Sequence, residues 1–247
     1  MGEMEKVWTE RLDGGQWIFE ANAPAGLVVA FSGRGSAPSR EASPTAFLAR
    51  RFAELLALDG TPIVRATQVH GNRAVIVREA PGGGEVFDAG PCDALATELP
   101  GLALVVQTAD CVPIALAGAR AVAVVHAGWR GCAANAAASA VDALRALGES
   151  PLELRAWLGP SIGPCCYQVG GEVASQFGNE FLRADGGAWR LDLRGINRAQ
   201  LEAAGVSSDE IVVHPDCTMC GGQKYASYRR DGVKSGRMIA LVDRLAS

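Results

Sequence analysis

Cys111 and His126 are the residues of this chain best suited to chemistry, because each closes or follows an apolar run and the two runs adjoin. Cys111 follows Leu102 to Val106, and His126 ends the next run. If Gly118-Ala119 forms a two-residue turn, Cys111 lies directly opposite His126, with Cβ atoms roughly 5 Å apart. With Ala119-Arg120 in the turn the two become diagonal neighbours, and a one-residue slip sends them to opposite faces. His70, at the end of another strand-like run, adds a third ligand from a chain with three histidines in all. A His2Cys set leaves one tetrahedral position open, the pattern of a zinc ion that binds and acidifies water. Cys111 and His126 could instead supply a nucleophile and its base. His2Cys is also the ligand set of mononuclear copper with a weak axial methionine, for which Met219 and Met238 are the nearby residues. Three histidines are too few for a multicopper oxidase.

Two further stretches offer polar groups. In HAGWRG, the N–H groups of Gly131 and Cys132 would open a helix and Arg130 would add a planar fork, together an anion site. The same glycines could instead serve only a tight strand-to-helix turn, with Arg130 paired to a carboxylate. Ser227, Tyr228, Arg229 and Arg230 form a polar cluster that contacts substrate or is a solvated loop. Cys217-Thr218-Met219-Cys220 is a single CxxC, weak evidence for structural zinc without a second pair, and is read as loop cysteines, while the vicinal pair Cys165-Cys166 is read as small buried residues in a crowded turn; neither is assigned a role.

The elements that must position these groups follow from periodicity. Short strands occupy the first 35 residues, and a Gly/Ser/Pro loop covers 33–43. A helix over Thr45 to Leu58 carries Phe47, Leu48, Phe52, Leu55, Leu56 and Leu58 on one face, with Ser43 as N-cap. Strands at 63–69 and 74–77 flank His70, and a glycine-rich loop spans 81–91. Cys132 to Leu147 reads as one helix stopped by Gly148. A strand follows at 152–158, helices at 170–182 and 197–204, a strand at 211–214 and a last segment at 238–245. Hairpins and helices mixed in this order predict an α+β fold with a mixed sheet.

Composition narrows the class. An apolar content of 49% with 20% charged residues suits a globular chain, expected to form a single domain over 1–247. A net charge of -4 gives no footprint for nucleic acid or an anionic membrane. The polar N-terminus and the lack of an apolar run of about 18 residues predict a cytoplasmic protein. Seven cysteines, an odd number, fit a reducing compartment.

In order along the chain, QVHG (68–71), DALAT (93–97), TADCVPI (108–114), HAGWRG (126–131), GPSIGPCCYQVG (159–170), CTMC, ASYRRDG and SGRM resemble one family, the bacterial YfiH proteins, also called laccase-domain or polyphenol oxidase proteins. The resemblance runs from about residue 60 to 240. It is weaker before that, where GRGSAPSREASP (33–44) replaces the stretch that relatives carry. It implies an α+β domain distantly similar to cytotoxic necrotizing factor deamidases, with His70, Cys111 and His126 at the ligand positions and zinc as the usual metal. It also implies phosphorolysis of adenosine, inosine and methylthioadenosine, and adenosine deamination. Peptidoglycan precursor editing and copper-dependent polyphenol oxidation are the other activities linked to relatives. Gln68, Arg130, Gly131, Ser227 and Arg229 are then the candidate substrate contacts, with a purine nucleoside and phosphate as partners. The H-x-E and PCxxC signature of zinc nucleobase deaminases is missing, so the general acid/base is sought in Asp110, beside Cys111, with Asp93 next. Either carboxylate could instead cap a turn. The oligomeric state stays open, with a monomer as the default.

Overall fold

The computed structural model describes residues 7–35, 44–82 and 85–246. The proposed N-cap Ser43 and most of the divergent 33–44 stretch lie outside them. The first sheet has seven strands. Three come early: β1 (Trp8–Asp13), β2 (Gln16–Ala21) and β3 (Leu27–Ser32). The others are β4 (Ile63–Thr67), β6 (Val86–Pro91), β8 (Ala103–Thr108) and β16 (Met238–Arg244). Their order is β1-β2-β3-β16-β8-β4-β6. The second sheet holds β5 (Ala74–Ile76), β7 (Ala94–Thr97), β9 (Val112–Ala117), β10 (Val122–Ala127), β11 (Arg155–Leu158) and β15 (Ile211–Val213), in the order β15-β11-β9-β10-β7-β5. A small third sheet joins β12 (Gln168–Val169), β13 (Leu182–Asp185) and β14 (Ala188–Leu191). Parallel and antiparallel pairs are mixed, as an α+β fold requires.

The two large sheets face each other across a core of Phe19, Phe31, Leu104, Val106 and Val242 from one and Leu95, Ala115, Val124 and Trp157 from the other. Their outer faces are covered too. α1 (Pro44–Leu55) places Leu48, Ala49 and Phe52 on Ile63, Val105 and Leu241. α3 (Ala136–Ala146) and α5 (Leu193–Ala203) place Ala140, Val141, Leu144, Ile196 and Leu201 on the side of Ile114, Leu116 and Val125. Strands buried on both faces need apolar residues throughout, which is why β8, β9 and β10 read as unbroken apolar runs.

Several expectations change. In the β9–β10 hairpin Val122 opposes Ala117 and His126 opposes Pro113, so Ala119-Arg120 is the turn and Cys111 is a diagonal neighbour of His126. Glu149 causes this: its carboxylate accepts the N–H groups of Ala119, Arg120 and Ala121 at 2.9, 2.7 and 2.7 Å. The expected helix over Cys132 to Leu147 is two, α2 (Trp129–Ala133) and α3, broken at Asn135 with φ 61°. Gln200 and Asn72 side chains donate to the carbonyls of Cys132 and Ala134 freed at the break. The 170–182 segment has the short α4 (Gly171–Ala174) and one 3-10 turn (Asn179–Phe181) before β13, in place of one helix. The glycine-rich 81–91 loop contains β6, the strand expected from Leu152 begins at Arg155, and the helix expected from Asn197 begins four residues earlier.

Candidate functional site

Two chain segments cross between the sheets at the same end of the sandwich. Residues 68–73 lead from β4 to β5, and residues 109–111 lead from β8 to β9. His126 lies beside them near the end of β10, on the face that Val122 and Val124 turn toward the first sheet. His70, Cys111 and His126 therefore meet at this seam, with all ligand atoms within 4.8 Å of one another. The two imidazoles are edge-to-face, with ring centroids 4.8 Å apart.

Asp93, fully buried just before β7, builds this arrangement. Its carboxylate accepts the N–H groups of Val69, His70 and Gly71 at 3.2, 3.0 and 2.7 Å, which holds His70 in a left-handed conformation with φ 62°. It also meets His126 Nδ1 at 2.8 Å. A carboxylate can only accept, so Nδ1 carries a proton and Nε2 is the nitrogen turned toward Cys111 and His70, with a lone pair for a metal once the ring is neutral. Gly128 completes the packing: a Cβ there would lie 3.0 Å from Cys111 Sγ and 3.1 Å from the His70 ring.

Electrostatics favour charge at the center. Burial opposes a Cys111 thiolate, yet the imidazoles of His126 and His70 outweigh it and bring the thiol down to about 6. Burial likewise opposes a His126 cation, but the Cys111 sulfur and the Asp93 carboxylate push it up to about 9. Asp93 is held below the usual carboxylate range against its burial by the hydrogen bonds from His126, Gly71 and His70. Together these groups can act as a thiolate–imidazolium pair, or as three ligands for a cation.

The site opens into a cavity of about 270 Å³, lined also by Gln68, Gln107, Thr108, Tyr228 and Arg237. The Gln68 amide is tied at both ends to the Gln107 backbone, at 2.8 Å each, so it fixes the 68–71 turn on β8. Arg237 spends Nη1 on Ser235 Oγ and the Gly236 carbonyl. Tyr228 is 53% exposed at the rim.

The other candidates are used differently. Asp110 does not serve as a free acid or base: its two oxygens accept Thr218 Oγ1 at 2.6 Å and the Arg229 N–H at 2.7 Å. It caps a turn, with φ 90°, and so orients Cys111. Arg130 is exposed, stacks on its neighbour Trp129 at 4.3 Å and does not line the cavity. The Cys132 N–H is taken by the Gly128 carbonyl and is not open to an anion, and a Cβ on Gly131 would stand 3.1 Å from the Gly71 carbonyl. Ser227 is buried as the N-cap of α6 (Tyr228–Asp231), accepting from Arg230 N–H. Arg229 donates to the Gln168 carbonyl and lies over the Tyr167 ring. Sequence reasoning missed Gln107 and Arg237, which only tertiary structure brings to the cavity, and singled out Tyr228 only as part of a cluster.

The family described as multi-copper polyphenol oxidoreductase laccase matches residues 45–244. A purine nucleoside phosphorylase of Deinococcus radiodurans is 37% identical over 210 residues, 83% of this chain and 79% of that protein. An adenosine deaminase, RL5, from an unknown prokaryotic organism is 39% identical over 162 residues, and the match spans 62% of each protein. Among solved structures, YlmD from Geobacillus stearothermophilus gives a TM-score of 0.84 at 30% identity, covering 97% of this chain and 99% of its own. A hypothetical protein YfiH from Bacillus licheniformis gives 0.84 at 29% identity, covering 96% and 99%. By its sequence match and its shared fold, this chain belongs to the laccase-like YfiH family.

Proposed function

We propose that the protein is a zinc-dependent purine nucleoside phosphorylase, acting on adenosine, inosine and methylthioadenosine, with adenosine deaminase activity. One observation carries the reading: three soft and borderline donors, His70, Cys111 and His126, stand together in a cavity just under the lower end of small-molecule site sizes. The names of the relatives, an adenosine deaminase and a purine nucleoside phosphorylase, point the same way. The donor set fits zinc, and the Asp93–His126 hydrogen bond is the outer support such ligands use. Zinc held there would polarize a bound oxygen and bring the acidity of bound water close to neutral pH.

The chain's own residues bind and orient. Tyr228 offers an exposed ring to a purine face, and Arg237 replaces Arg130 as the guanidinium suited to phosphate. In phosphorolysis a phosphate oxygen bonds to C1′ as the C1′–N9 bond breaks, and the purine leaves with a proton. In deamination water adds at C6 and ammonia departs. Asp93 keeps His126 in one tautomer throughout, and the bound amide of Gln68 keeps the His70 turn in place. Multicopper chemistry lacks its ligands. The third histidine, His214, is buried among Trp8, Phe19 and Tyr225. Met238 belongs to the core between the sheets, and Met219 packs on the helix-side core. Copper at the three ligands would be mononuclear. No helix among the described residues is long and apolar enough to cross a membrane, and we expect a cytoplasmic monomer.

Incubation with adenosine and inosine, with and without phosphate, tests the proposal. Free base appearing only with phosphate supports it, and no base or inosine at high protein concentration rejects it. A second reading is favoured by the alignment of Cys111, His126 and Asp93: a cysteine amidase acting on a peptide or cell-wall precursor, with Cys111 as nucleophile. Loss of Cys111 alkylation on adding zinc, with nucleoside turnover gained, decides against it.

A further inference from the structure

The four cysteines left without a role converge. Cys165 and Cys166, in the 159–167 loop after β11, meet Cys217 and Cys220, in the loop after β15, with all four sulfurs within 4.8 Å of one another. Cys220 Sγ lies 3.1 Å from Cys166 Sγ and 3.7 Å from Cys165 Sγ. Four sulfurs around one zinc ion at about 2.3 Å would be about 3.8 Å apart. A disulfide would give Cys220 one partner, whereas a shared cation accounts for its closeness to two.

The surroundings of Cys217 suit a sulfur anion. Gly163 donates its N–H to Cys217 Sγ at 3.2 Å, and the N–H groups of Met219 and Cys220 point to the same sulfur. A Cβ on Gly163 would stand 3.2 Å from Cys165 Sγ and 3.3 Å from Cys217 Cβ, so glycine permits the approach. Arg194 supplies the countercharge. Its guanidinium donates to the carbonyls of Ser161, His214, Pro215 and Asp216 on the same two loops. It is half-buried, and the charges that act on it are Cys217 and Cys165 of the cluster together with Asp192 and Asp216.

We propose that Cys165, Cys166, Cys217 and Cys220 form a second metal site, a tetrathiolate for a soft divalent cation such as zinc, that fastens the 159–167 loop to the 214–222 loop. Each sulfur bonds to the metal as its thiol proton leaves to solvent, so four protons are released and no redox partner is needed. The clasp reaches the candidate active site through Thr218, between the two cysteines of the second loop, whose hydroxyl holds Asp110 beside Cys111. Arg230 binds the carbonyls of Thr218 and Gly222 and extends the hold to α6, where Tyr228 meets the cavity.

The test uses the full chain with His70→Ala and Cys111→Ala together, which removes the first site and makes the result independent of the proposed activity. After chelation and titration with Co2+, this variant is expected to bind one equivalent with intense thiolate-to-cobalt absorption. Adding Cys217→Ser and Cys220→Ser should abolish that signal. Thiol counting with Ellman's reagent covers the case of a variant that does not fold: in the wild-type protein, zinc should protect four thiols beyond Cys111. No cobalt–thiolate band in the first variant, no protection by zinc, or a Cys166–Cys220 disulfide in protein kept reduced would each overturn the proposal.

Discussion

Asp93→Asn is the most demanding single change the site suggests. The native carboxylate accepts four hydrogen bonds, three from backbone N–H groups and one from His126 Nδ1–H. An asparagine carbonyl oxygen can keep two of them. The amide nitrogen that replaces the other oxygen is a donor and faces donors. At about 1.5–3 kcal/mol for each bond to a charged group, losing two costs about 3–6 kcal/mol of stability. If the new amide donates to Nδ1, the neutral imidazole keeps its proton on Nε2, the nitrogen a metal would need. Metal affinity and turnover should then fall by at least about 10- to 100-fold. The pH dependence has a definite sign. Asp93 is depressed in the folded state, so its stabilization is complete above the unfolded value of about 4 and fades only as pH falls through the lower folded value. Urea unfolding at pH 7, zinc titration and nucleoside turnover measure the three effects. An Asn variant within about 1 kcal/mol of wild type and within about twofold in activity would refute the reasoning.

Three further outcomes follow from the same geometry. In metal-stripped protein, Cys111 should react with iodoacetamide with a midpoint near pH 6, read by peptide mass mapping, and zinc should suppress the reaction; a midpoint near that of a free thiol would contradict the imidazole pairing. Gly128→Ala should lower zinc affinity about tenfold by displacing Cys111 and His70 a few tenths of an ångström, and unchanged affinity in a calorimetric titration would show that the contact is slack. Asp243 is buried in β16 without a hydrogen bond of good geometry to either oxygen, the Leu102 N–H lying nearby, and desolvation pushes it up to about 6. A raised carboxyl costs stability above that value, so Asp243→Asn should stabilize the protein at pH 8 by roughly 2 kcal/mol and by nothing near pH 4. A urea midpoint at pH 8 equal to or below that of wild type would reject this.

Much of the fold was legible because its strands are buried on both faces, which leaves apolar runs such as Leu102 to Val106 plain in the sequence. The sequence made the three donors of the candidate site plain and their supports less so. Cys111 and His126 converge even though the turn lies one residue later than expected, because moving the turn by one residue shifts the pairing by two and preserves the shared face. What moved the turn, Glu149, is about thirty residues downstream and carries no local signal. Asp110 and Asp93 could not be ranked by sequence, since their roles depend on donors from 218, 229, 69–71 and 126. The cysteine cluster was read as two unrelated pairs because over fifty residues separate them, and only the β11–β15 pairing brings the following loops together.

Phosphorus NMR of inosine and inorganic phosphate with the zinc-loaded protein tests the central claim most directly. The account predicts a new ribose 1-phosphate resonance that grows as hypoxanthine is released and that disappears in the Cys111→Ala and His126→Ala variants. Only the inorganic phosphate signal, or a sugar phosphate formed equally well by both variants, would contradict it.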